Sequence, residues 1–139
     1  SMTEIGYFAF ENTAIKSIIL PKNVTILKDH SLSNCQSLRK IELPEELTKI
    51  DANAIISSGI YELEIPNKVQ SIEACGIWQC NDIEEIYIPK SVKTMSWGSI
   101  GYCPNLKKVY CEAESKPDGW NDNWLTQCPN AEIVWGYKK

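Results

Sequence analysis

The sequence predicts a repeat solenoid, mostly β and of α/β type, in which short strands from successive coils stack into a parallel sheet. Three observations predict it. Prolines follow an aliphatic residue at Pro21, Pro44, Pro66 and Pro89, at intervals of 23, 22 and 23 residues. The segments they delimit align almost without gaps. Each segment closes on alternating apolar residues, Ile41 and Leu43, Leu63 and Ile65, Ile86 and Ile88, Val109 and Cys111, the period-two pattern of a half-buried strand. A unit of 22 or 23 residues cannot bury its own apolar face, so the units must share one continuous core.

Taken in order, Ser1-Met2 reads as an expression scar, and residues 1–4 are set apart as a linker. A partial unit, 5–20, enters mid-repeat, and four full units follow at 21–43, 44–65, 66–88 and 89–111. In each full unit proline ends the preceding strand because it cannot donate the next ladder hydrogen bond. Val24, Leu47, Val69 and Val92, each with Leu27, Ile50, Ile72 or Met95 three residues on, mark a second extended segment across the coil. Small-before-large pairs, Ser31-Leu32, Ala54-Ile55, Gly76-Ile77 and Ser99-Ile100, mark tight turns where two backbones approach. Residues 112–139 break the period. There "KPDGW" reads as a turn, "NDNWLTQC" as a short helical or irregular segment and "AEIVW" as a last strand. The final coil of a solenoid needs a cap, and Trp120, Trp124 and Trp135 are placed to cover it; a sugar-stacking platform is the alternative for these three. The opposite end, with Ile5, Ala9 and Phe10, begins a coil with no predecessor. That asymmetry predicts a longer parent array or self-association through the open N-terminal edge.

Composition narrows the function classes. With 43% hydrophobic and 23% charged residues the chain is globular, and at 139 residues one domain is the default. A net charge of -4, from 14 basic and 18 acidic residues, supplies no basic footprint for nucleic acid. No apolar run approaches the roughly 20 residues of a membrane span, and no signal segment opens the chain.

The hexapeptide "IGYFAF", the stretch "SLSNCQSLRKIELP" and the recurring Pro-x-x-Val-x-x-Ile opening resemble the BspA-type, or Treponema pallidum-type, leucine-rich repeat. The tail after Val109 is similar to the C-terminal end that follows such repeats in bacterial proteins. The resemblance runs from about Ile5 to Tyr137. This sequence departs from the pattern by replacing the Ala-Phe pair in most units and by carrying Thr13 and Ser58 where other units have Cys. The resemblance implies a right-handed leucine-rich-repeat coil of about five repeats plus a C-terminal cap. It also implies a noncatalytic ligand-binding scaffold, secreted or on the surface of bacteria and used in adhesion.

The residues give no enzyme. His30 is the chain's single histidine, and a nucleophilic constellation needs a base oriented by a third group. Glu84-Glu85 and Glu45-Glu46 read as solvated surface, and the glycines are scattered rather than grouped into a phosphate loop. No cofactor is expected. Cys35, Cys80, Cys103 and Cys128 share one position in their coils, with Cys75 and Cys111 additional. They read as buried free thiols. A Cys80–Cys103 disulfide is within reach of stacked coils, and a zinc site from Cys75, Cys80 and Cys103 lacks the paired spacing of structural zinc. Asn23-Val24-Thr25 fits a glycosylation sequon, meaningful only in a eukaryotic secretory pathway.

Binding, if present, belongs on the outward strand positions. Arg39, Lys40, Tyr61, Glu62, Glu84, Tyr87, Lys107 and Tyr110 form a basic, acidic, basic band with tyrosines at its centre, and Tyr and Arg are enriched at binding hot spots. Cross-strand pairs such as Lys40 with Glu62, or Glu85 with Lys108, are the competing structural account. The strand face alone covers on the order of 240 Å², whereas a standard interface takes about 800 Å² per partner. Further repeats, or Trp78, Trp97 and Tyr102 on the corners, would have to contribute. The expected function is therefore a protein-binding surface or adhesion module, with a structural spacer array or a carbohydrate-binding module as alternatives.

Overall fold

The structure, a computed structural model, describes residues 4–5, 10 and 14–138. Among them are fifteen short strands and no helix. Strands from successive coils build three main parallel sheets. The first contains β1 (Glu4–Ile5), β3 (Ile26–Leu27), β5 (Lys49–Ile50), β8 (Ser71–Ile72) and β11 (Thr94–Met95) in that order. The second contains β6 (Ile55–Ile56), β9 (Ile77–Trp78), β12 (Ile100–Gly101) and β14 (Leu125–Thr126). The third contains β7 (Glu62–Glu64), β10 (Glu85–Ile88), β13 (Lys108–Cys111) and β15 (Glu132–Trp135). In the earlier coils its place is taken by a separate pair, β2 (Ser17–Ile19) and β4 (Lys40–Glu42), joined to β7 by the Tyr61 N–H donating to the Arg39 carbonyl at 3.3 Å.

The recurring proline opens a turn as well as ending a strand. Its carbonyl accepts from the N–H three residues on, Val24, Leu47, Val69 and Val92, at 3.1 to 3.2 Å. That bond turns the chain from the third sheet towards the first. Val24, Leu47, Val69 and Val92 then point inward and are fully buried, as are Leu27, Ile50 and Ile72. The core closes on the other side with Leu63, Ile86 and Val109 from the third sheet and with Leu38, Ile60, Ile83 and Leu106 just ahead of it. Burial of such aliphatic side chains is worth about 1.5–3 kcal/mol each, and no unit collects enough of them alone.

Of the pairs read as tight turns, Ser31-Leu32 does lie in a turn, whereas Ala54, Gly76 and Ser99 are bends that each lead directly into a short strand. Ile55, Ile77 and Ile100 lie in β6, β9 and β12, in register with one another. The turning is done on either side of them, by single residues in the left-handed region. One corner has His30, Asn53, Cys75 and Gly98 at φ 57 to 60°; the next has Asn34, Ser57, Gln79, Tyr102 and Gln127 at φ 51 to 57°. Two left-handed residues four positions apart leave room between them for only a two-residue strand.

The cysteine position follows from the same corner. All six cysteines are free thiols. Cys80, Cys103 and Cys128 each donate to the carbonyl two residues earlier, at 3.3 to 3.7 Å. Cys35 also reaches the Phe10 carbonyl of the preceding coil at 3.0 Å. Ser58, in the same place, donates to Leu32 O at 2.9 Å. The site therefore selects a small donor rather than a small apolar side chain. Cys111 lies elsewhere, at the end of β13 with its side chain buried in the core, and burial pushes its thiol up to about 12.

The tail folds as one more turn of the coil. Trp120 bridges to Met95, β14 extends the second sheet and β15 extends the third. The segment read as helical or irregular contains β14. Trp120 and Trp124 are buried, with ring centroids 4.9 Å apart, and Trp135 packs against both at 5.8 and 6.3 Å. The Trp120 indole N–H donates to Val92 O at 3.0 Å. The cluster packs over the end of the core, with Trp120 and Trp124 buried and Trp135 half-buried. At the other end, the expected open edge of Ile5, Ala9 and Phe10 rests in part on Ala9, which lies outside the described residues.

Candidate functional site

An open depression of about 1250 Å³ lies over the third sheet and its flanks. It gathers seven of the eight residues singled out in the sequence: Arg39, Lys40, Tyr61, Glu62, Glu84, Lys107 and Tyr110. Tyr87 does not line it. Strand alternation builds this face, since Leu63, Ile86 and Val109 point into the core while Glu62, Glu85 and Lys108 point out in one row.

At the near flank Arg39 is fixed. Its Nη1 donates to the carbonyls of Gln36 and Gly59, both at 2.9 Å, and approaches Asp82 at 3.5 Å. The guanidinium carbon sits 5.5 Å from the Tyr61 ring centroid, and half of Tyr61 is exposed, a cation–π contact that presents the ring to solvent. Gly59 makes this possible, because a Cβ there would collide with the Arg39 guanidinium and the Gln36 carbonyl.

The charges do not pair as the sequence suggested. Lys108 bonds to Glu132 on β15 rather than to Glu85, and this partner raises its pKa. Lys107 bonds to Glu84 at 2.9 Å. Lys40 and Glu62 form no ion pair among the described residues, although their strands adjoin. Glu85 instead accepts from the Tyr87 hydroxyl at 3.1 Å and the Tyr110 hydroxyl at 3.3 Å. Those two rings stack at 4.8 Å and 15°, with Tyr137 tilted against them at 5.6 and 4.7 Å. Removal from water, and then the Glu85 carboxylate beside it, pushes the Tyr87 hydroxyl up to about 12; Tyr110 is raised for the same reasons. Tyr137 was missed in the sequence because it belongs to the tail, whose register the repeat period does not give. The centre of the face is thus acidic, with Glu62 directly opposite Glu85.

Elsewhere, His30 Nδ1 lies 2.8 Å from Ser33 Oγ and Nε2 lies 3.3 Å from Asp29. The order Asp, His, Ser resembles a nucleophilic string, but Ser33 is 1% exposed and offers no access for a substrate. Among the described residues no group of His, Cys, Asp or Glu is placed to hold a metal ion, and no helix is long and apolar enough to cross a membrane.

Comparison with known proteins gives three findings. The profile of the BspA type leucine rich repeat region matches residues 3–131 in six copies. No curated protein matches the sequence. Among solved structures, the pneumococcal vaccine antigen PcpA superposes with a TM-score of 0.68 at 21% identity, over 93% of this chain and 33% of that one. A leucine-rich repeat protein from Bacteroides ovatus gives 0.66 at 21% identity, over 95% and 40%. A leucine rich cell surface protein from Faecalibacterium prausnitzii gives 0.50 at 16% identity, over 100% and 65%. The chain therefore spans a third to two fifths of the length of the first two, and at these identities the likeness is one of fold.

Proposed function

This chain belongs to the BspA-type leucine-rich repeat family, and from that premise we propose that it is a noncatalytic protein-binding module of a secreted or surface-displayed bacterial protein, engaging its partner through the third-sheet face. One observation carries the reading. An open depression of about 1250 Å³ lies on that face and presents Tyr61 on a fixed Arg39 beside the acidic side chains of Glu42, Glu62 and Glu85. Glu42 and Glu62 form no ion pair among the described residues, and Glu62 faces Glu85, an arrangement that costs stability unless a partner supplies positive charge. A basic segment laid along the face fits this pattern. Burial of Ser33 argues against the one constellation that resembles a catalytic string.

The test is retention of the protein on immobilised extracellular-matrix proteins and on host-cell monolayers, compared with a Tyr61→Ala, Glu62→Lys variant of unchanged circular dichroism. Loss of retention in the variant, and weakening with added salt, is the expected result. Undiminished retention removes this face from the function, and absence of retention in both proteins leaves the structural spacer as the better reading.

A further inference from the structure

A second surface, at the second sheet and its flanking corners rather than over the third sheet, has a different chemistry. Trp78, Trp97 and Tyr102 form a contiguous aromatic group, with the Trp78 ring centroid 6.0 Å from that of Trp97 and 4.9 Å from that of Tyr102. Trp97 is 51% and Tyr102 45% exposed, two of the four large apolar side chains open to solvent among the described residues. The Trp78 ring lies against the backbone of Gly98 and Gly101, where any Cβ would press into its six-membered ring. The glycines therefore seat the indole and fix its orientation.

Tyr102 also lines a smaller depression of about 400 Å³, whose other walls are Ser57, Gln79, Asn81, Pro104 and Gln127. The side chains of Ser57, Gln79, Asn81 and Gln127 make no hydrogen bond among the described residues, so their hydroxyl and amide groups are available to a ligand. Charge is absent from every residue of the aromatic group and of this depression, in a chain where 23% of residues are charged.

Backbone conformation adds an independent argument. Ser57, Gln79, Tyr102 and Gln127 all stand at the left-handed corner, φ 51 to 56°, a conformation that favours Gly and Asn and penalises bulky side chains. Asn34 fills the equivalent corner two coils before Gln79 and shows that the favourable choice fits there. Tyrosine and glutamine at this position do not serve the turn. They place an aromatic face and two amides along one edge.

We propose that this corner is a saccharide-binding site for a neutral, β-linked pyranoside chain. The axial C–H face of such a sugar stacks on an aromatic ring, whose negative face attracts the polarised hydrogens. Its hydroxyl or acetamido groups need both donors and acceptors, which amide side chains supply together. A mostly apolar platform with a few uncharged polar groups beside it is the recognised composition of a small-molecule site. The lack of charge disfavours sialylated, sulfated or phosphorylated ligands. This site is separate from the acidic face and does not depend on the reading given for it.

The test uses the protein as it stands, titrated with N,N',N'',N'''-tetraacetylchitotetraose and with cellotetraose, read by the indole N–H signals of its tryptophans in NMR. The expected result is a saturable shift of Trp78 and Trp97 with at least one probe, while buried Trp120 stays still. Tyr102→Asn, which eases the left-handed backbone, and Trp97→Ala should each weaken binding by about tenfold or more. Tyr61→Ala on the other face should leave it unchanged. The proposal is overturned if neither tetrasaccharide gives a saturable shift, or if the affinity survives in the Trp97→Ala, Tyr102→Asn double variant. It is equally overturned if Tyr102→Asn abolishes capture of a protein while neither sugar is bound.

Discussion

Ser58 and Cys80 occupy the same corner of successive coils and make the same bond, the Ser58 hydroxyl donating to Leu32 O at 2.9 Å and the Cys80 thiol reaching Ile55 O at 3.9 Å. Both side chains are buried. Each satisfies a carbonyl of the coil before it, so the residue links neighbouring repeats rather than merely filling space.

A substitution that keeps size but loses the donor separates these roles. Ser58→Ala should destabilise the fold by about 1–3 kcal/mol, the cost of an acceptor left buried without its partner, whereas Ser58→Cys should cost less. Chemical denaturation of the two variants checks the order. Equal losses would mean that packing alone selects this position.

Gly59 should tolerate no side chain. A Cβ at Gly59 meets the Gln36 carbonyl and the Arg39 guanidinium, and the backbone carbonyl cannot move aside as a flexible side-chain end would. Gly59→Ala should destabilise by about 1–3 kcal/mol and, in the folded fraction, release Arg39 from Tyr61. Thermal unfolding reads the first effect and Tyr61 ring chemical shifts the second.

Glu62 opposite Glu85 is the sharpest discriminator between stability and recognition. Relieving a like-charge pair across parallel strands should gain about 0.2–1 kcal/mol, so Glu62→Gln should raise the denaturation midpoint at low salt while lowering partner affinity. A variant that loses both stability and binding would mean that Glu62 serves the fold.

The tyrosine stack has a pH signature. The Tyr87 hydroxyl, ordinarily near 10, titrates at about 12 in the fold. Because the folded value is raised, this contribution to stability is complete below about pH 10 and disappears as pH climbs to about 12. Phenolate absorbance should therefore show a late component that Tyr87→Phe removes, and the unfolding midpoint should fall across that interval. Simultaneous titration of all tyrosines at the unfolded value would contradict the stack.

Closing the core by tryptophan is testable at Trp120, 2% exposed and bonded to Val92 O. Trp120→Ala should cost about 3–5 kcal/mol, with the loss greatest in amide protection of β11 and β13. Trp120→Phe should recover the packing but not the hydrogen bond.

Much of this was legible in the residues. Four prolines set the coil, and the alternation Leu63, Ile65, Ile86, Ile88 gave the inward face of the third sheet and hence the outward row of Glu62, Glu85 and Lys108. The second sheet was not legible, since Ile55-Ile56 and Ile77-Trp78 are too short to show a period and the left-handed residues that frame them include Ser57, Gln79 and Tyr102 rather than glycine. In the tail the turn in "KPDGW" and the last strand in "AEIVW" were legible, but β14 inside "NDNWLTQC" was not, for a related reason: the register lies 25 residues on from Met95 but 24 on from Lys108, and tryptophans replace the aliphatic residues that would have marked it.

The sequence by itself determined that the chain must stack its units and which residues face the shared core, because a repeat too short to bury its own apolar side chains has one way to do so. Only the tertiary structure decided which surface groups meet. Ion pairs and ring contacts depend on how long side chains bend across a spacing of one coil, and several partners lie within reach of each. Lys108 therefore turned to Glu132, Glu85 was left to two tyrosines, and Trp78, Trp97 and Tyr102, scattered over two coils in the sequence, came together on one corner.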